Sequence, residues 1–82
     1  MKYYIIKPNS SKVSTELMDG IKSIDTSATF VKTIEECNIA VLQKGWTNSK
    51  IAVAEMQRAI KELKLPCREG YFYTDRVKAH LN

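Results

Sequence analysis

Eighty-two residues make one domain, 1–82, with a single small core, so oligomerisation, as a dimer, is an ordinary way for such a chain to add buried area. An apolar fraction of 44% beside 27% charged residues excludes a disordered chain. The net charge of +4 favours an anionic partner, but the lysines and arginines are interspersed with acids in no long run, which argues against a nucleic-acid-binding protein.

The cysteines Cys37 and Cys67 are far apart and form no CxxC pair, so neither a metal site nor a cofactor is expected. The N-terminal Met1-Lys2-Tyr3-Tyr4-Ile5-Ile6 lacks the apolar core and cleavage site of a signal peptide, and no apolar stretch approaches a membrane span. The expectation is a cytoplasmic protein with reduced thiols and no membrane partner.

In chain order, Tyr3 to Ile6 predicts a first strand over 2–7, closed by the turn cluster Lys7-Pro8-Asn9-Ser10. Val13, Leu17, Ile21 and Ile24 recur at helical spacing and predict a helix over 11–24, capped by Ser10 or Ser11. After the turn Asp25-Thr26-Ser27, a short strand is expected over 28–31, and a helical turn through Ile34-Glu35-Glu36. Ile39-Ala40-Val41-Leu42 has no polar alternation, the pattern of a parallel strand covered on both faces. The stripe Ala52, Met56, Ala59, Ile60 and Leu63 predicts a helix over 48–64, with Thr47 or Asn48 as its cap and Pro66 beyond its end. Tyr71-Phe72-Tyr73 reads as a last strand or an aromatic patch, and Thr74 to Leu81 as a short helix. Alternation of this kind predicts an α/β fold: a small three-layer, Rossmann-like or flavodoxin-like domain around a short, mainly parallel sheet.

The chemistry concentrates between Gly45 and Glu55. Gly45 follows the buried strand, where glycine permits positive φ and close ligand approach, and ligands of open α/β sheets bind at the carboxyl ends of the strands. The following helix start offers free N–H groups to an anion, and Ser49 a hydroxyl. Trp46 can stack on a base or sugar, or cover the core. Glu55 falls roughly 80° from the centre of the apolar stripe, either as a partly desolvated acid, base or nucleophile or as a surface carboxylate paired with Arg58. His80 carries no assigned role.

The pattern Gly45-Trp46-x-x-Ser49-Lys50-x-Ala52-x-x-Glu55-x-x-x-Ala59, directly after Ile39 to Leu42, resembles small relatives of the nucleoside 2-deoxyribosyltransferases. The resemblance implies a pocket for a nucleoside, nucleotide or sugar phosphate at the carboxyl ends of the strands. It places Glu55 as the nucleophile or general base of N-glycosidic bond cleavage or transfer, with Gly45, Trp46 and Ser49 on the sugar or phosphate side. Pro8, with Asn9, resembles the end of the family's first strand, whose following loop helps form the base pocket, so the resemblance implies both as ligand-binding residues; Lys7-Pro8 stands in place of the family's Gly-Pro. A non-catalytic interaction domain of the same fold is the alternative.

Overall fold

A computed structural model describes residues 1–8 and 12–75. The proposed ligand residue Asn9, the caps Ser10 and Ser11, His80 and the 76–81 part of the last expected helix lie outside the described residues.

Four strands form one parallel sheet: β1 (Lys2–Ile6), β2 (Thr29–Phe30), β3 (Ile39–Leu42) and β4 (Cys67–Glu69), in the order β2-β1-β3-β4. Two helices are α1 (Thr15–Ile24) and α2 (Lys50–Lys61), and residues 71–75 are helical as well. This is the small Rossmann-like, flavodoxin-like α/β architecture that the alternation predicts. Among the described residues no helix is long and apolar enough to cross a membrane.

Alternation along the two central strands divides the core. Tyr3, Ile5, Ile39 and Val41 join Leu17 and Ile21 of α1 and Tyr73 on one face. Ile6, Ala40 and Leu42 join Ala52 and Ala59 of α2, with Ile34 and Cys37, on the other. The layering follows from right-handed crossovers. The chain moves from β1 in one direction to β2, but from β2 to β3 and on to β4 in the opposite direction. The first connection therefore lies on one face and the later two on the other. Ala52 and Ala59, both fully buried, let α2 approach the sheet closely. Both cysteines are free thiols, and burial raises the pKa of each.

The structure corrects four sequence expectations. Residues 12–14 are not helical: α1 begins at Thr15, and Ser14 is its cap, accepting from the Leu17 N–H at 3.2 Å. The Gln43 side chain holds this stretch extended by bonding both Lys12 and Ser14. Secondly, Trp46–Asn48 first forms a separate turn, so the cap of α2 is Ser49, with Thr47 and Asn48 inside that turn. Thirdly, α2 stops at Lys61: Leu63 N–H reaches back to the Arg58 carbonyl, and Lys64 adopts φ 54° as the chain turns towards Pro66. Finally, Tyr71 to Tyr73 is helical, and the last strand is Cys67-Arg68-Glu69. Pairing with β3 overrides the weak strand preference of those three residues.

Candidate functional site

A cavity of about 630 Å³ opens at the carboxyl ends of β3 and β4. Leu42 and Gln43 enter it from the end of β3, and Glu69 and Gly70 from the end of β4. Ser14, Glu16 and Leu17 line it from the start of α1. Lys44 to Thr47 and the residues Tyr71, Thr74 and Asp75 complete the lining. Ligands of open parallel sheets bind outside the carboxyl ends of the strands.

The loop after β3 is shaped by Gly45, whose φ of 93° turns the chain straight into the Trp46–Asn48 turn. The Gly45 carbonyl accepts from Asn48 N–H at 3.1 Å, and Pro8 packs against its open side, with Cγ 3.3 Å from the place a Cβ would occupy. Trp46 is half-buried. It packs on the α2-side core, lines the cavity, and donates its indole N–H to Glu69 Oε2 at 3.3 Å. The indole therefore both covers the core and offers a surface to the cavity.

Gln43 was not among the expected site residues, yet it organises the cavity's edge. It is buried at the end of β3, its Oε1 accepts from Ser14 N–H at 2.8 Å, and its Nε2 donates to the Lys12 carbonyl at 3.0 Å. The signal in the sequence was a polar residue ending a four-residue buried run; its partners lie some thirty positions earlier and have no local signature.

The cavity's charge is predominantly acidic. Glu16, Glu69 and Asp75 line it with Lys44 as the cation among the described residues. A phosphate would enter against three carboxylates at high local field.

The other expected residues are placed elsewhere. Ser49 is buried, and its hydroxyl accepts from the Ala52 N–H at 3.2 Å as the α2 cap; it does not line this cavity. Glu55 is half-buried over the middle of β1, where it accepts a 2.5 Å hydrogen bond from the Tyr4 hydroxyl, and it too is absent from the lining. Nor does it pair with Arg58, which bridges Glu35 at 2.5 Å and Glu62 at 3.4 Å and so ties the 34–36 turn to α2. The structure thus brings Gly45 and Trp46 to the cavity, sets Pro8 behind Gly45, and leaves Ser49 and Glu55 on the helix.

Two tyrosines tie β1 to its surroundings. Burial, and then the bond to Glu55, push the Tyr4 hydroxyl far above its ordinary range. Burial, and then the bond to Asp25 at 3.0 Å, raise Tyr3 to about 12. Asp25 is lowered in turn, chiefly by that Tyr3 hydrogen bond. A phenol whose folded pKa exceeds its unfolded value of about 10 contributes stability in full below pH 10 and loses it as pH rises towards the folded value. The melting temperature is expected to fall steeply between pH 10 and about 12. Tyr3→Phe should flatten that fall; an unchanged alkaline profile in this variant would exclude Tyr3 as a cause.

No family model matches the chain, and neither the curated proteins nor the solved structures provide a match.

Proposed function

We propose that the protein binds an uncharged nucleoside in the cavity at the carboxyl ends of β3 and β4. The single observation carrying this reading is the pairing of an aromatic side chain, Trp46, with a cluster of carboxylates in one cavity. A base is a flat apolar surface that stacks on indole, and Tyr71, an exposed phenol in the same lining, offers a second face. Ribose hydroxyls can donate, and ionised carboxylates only accept. Among nucleosides, nucleotides and sugar phosphates, the lining carboxylates favour the first, because a phosphate would be repelled by Glu16, Glu69 and Asp75.

Glu55 stands outside this binding reading, since its carboxylate is engaged by Tyr4 and does not line the cavity. Glu55→Gln should therefore leave nucleoside affinity unchanged. Hydrolysis or transfer at the N-glycosidic bond through Glu55 is a separate question, answered by assaying release of free base.

Trp46 is the only tryptophan of the chain, so its fluorescence reports directly on the site. Titration with purine and pyrimidine nucleosides should change that emission, and the matching monophosphates should bind more weakly by about tenfold or more. Glu69→Gln should narrow the gap between the two ligand classes. Monophosphates that bind as tightly as nucleosides would overturn the uncharged-ligand assignment, and silence towards every nucleoside would overturn the site. Base release by the wild type that is lost in Glu55→Gln would establish the glutamate as part of a reaction.

A further inference from the structure

On the far edge of the sheet, β1 and β2 run together for two residue pairs, Lys2 with Thr29 and Tyr3 with Phe30, and then separate. The Met1 carbonyl accepts from Thr29 N–H at 3.1 Å, and the Tyr3 carbonyl from Val31 N–H at 2.9 Å. By the alternation of a strand's hydrogen-bonding groups, the N–H and C=O of Ile5 point to the same side. Continued pairing would join the Ile5 N–H to the Val31 carbonyl. Among the described residues that bond is not formed.

The opening left by this separation is a cavity of about 300 Å³. Ile5, Val13, Met18, Phe30 and Val31 supply apolar lining, and Val13 is 36% exposed. The charged side chains of the described lining are Lys7 and Lys32, and no carboxylate is part of it. Phe30 also meets the Lys22 ammonium, 5.7 Å from its ring centroid. In sign this is the reverse of the cavity at the β3 and β4 ends.

We propose that this notch is a binding site for a small amphipathic carboxylate, with its apolar part against Val13, Met18 and Phe30. One carboxylate oxygen takes the Ile5 N–H in place of the missing Val31 carbonyl. Lys7 and Lys32 supply charge-assisted donors to the other, which are stronger than neutral hydrogen bonds. The notch suits a small molecule over a peptide strand because the gap opens one ladder step of backbone, while an added strand is held by several. A volume of about 300 Å³ is at the lower end of small-ligand clefts. This site is independent of the nucleoside reading.

The test uses the whole chain and amide chemical shifts, with phenylacetate as the probe and phenylacetamide as its uncharged counterpart. Phenylacetate should shift the Ile5, Phe30 and Val31 amides in a saturable manner, and phenylacetamide should bind about tenfold more weakly or worse. Replacing both Lys7 and Lys32 by glutamine should weaken phenylacetate by at least roughly the same factor while keeping the dispersed spectrum of the folded chain. Equal binding of acid and amide would overturn the proposal, as would shifts confined to other residues or none at all. Inorganic phosphate matching phenylacetate at these amides would reduce the notch to a simple anion site and overturn the amphipathic assignment. So would an apolar peptide that binds there when phenylacetate does not, since it would mark β1 as an edge for strand addition.

Discussion

Gln43→Ala is expected to cost about 3 kcal/mol, the largest single-substitution effect on stability expected here. Gln43 is buried, and its amide bonds two backbone groups of the segment before α1: the Ser14 N–H and the Lys12 carbonyl. Both bonds are part-buried, and a group left unsatisfied away from water costs about 1–3 kcal/mol. A second cost follows through Ser14, which caps α1 by its side chain and starts the helix by its carbonyl, accepting from Met18 N–H at 3.1 Å. With the segment before α1 released, the cap loses its fixed position, and a lost cap costs about 1 kcal/mol. In a domain of this size each kcal/mol moves the melting temperature by about 4–8 °C, so a fall of about 15 °C is expected. Denaturant unfolding of Gln43→Ala measures it. A loss below about 0.5 kcal/mol would mean that water replaces both bonds and that Gln43 is not the clamp described here. Because the residue also lines the cavity, nucleoside affinity should fall in the same variant.

Gly70→Ala is expected to cost about 2 kcal/mol for a different reason. Gly70 donates its N–H to the Leu42 carbonyl at 2.8 Å, which ends the β3–β4 ladder and starts the turn into the 71–75 helix. A Cβ at position 70 would stand 2.8 Å from that same carbonyl oxygen and 3.2 Å from Leu17 Cδ1. One of these neighbours is backbone at the end of the central strand β3, so relief requires the end of β4 to move. Overpacking of this kind costs about 1–3 kcal/mol, or about 10 °C in melting temperature here. The displacement falls on the cavity, because Leu17, Leu42 and Gly70 all line it. Unchanged stability in Gly70→Ala would show that β4 can shift without cost, and that the close approach is incidental.

Much of the fold was legible before any coordinates because the informative signals are local. The unbroken apolar run Ile39 to Leu42 and the close-spaced Tyr3 to Ile6 are both buried central strands, and they lie side by side. The helical spacing of Leu17 and Ile21, and of Ala52 and Ala59, puts those residues in the two halves of the core. The glycine after β3 has the positive φ that its place suggested.

Other features depend on partners distant in sequence. β4 is strand because β3 offers it a ladder, although Cys67-Arg68-Glu69 carries no strand pattern of its own. The caps are Ser14 and Ser49, where the sequence predicts Ser10 or Ser11 and Thr47 or Asn48, since several residues of the right chemistry sit close together. Tertiary contacts, such as the clamp from Gln43, selected among them.

Glu55 shows the same division at the site. Its angle on the helix placed it at the edge of the buried face, and it is half-buried there. Which group it would meet was not encoded nearby: Tyr4 reaches it from β1, fifty-one positions earlier. By itself, the amino-acid sequence determined the periodicities, and with them the two central strands, the apolar faces of α1 and α2 and the parallel sheet, because these arise within a few residues. Only the tertiary structure decided which polar groups meet: Trp46 with Glu69, Gln43 with the start of α1, Tyr4 with Glu55. Hydrogen bonds and cavity walls are set by the meeting of distant segments, and one segment read alone carries no record of its partner.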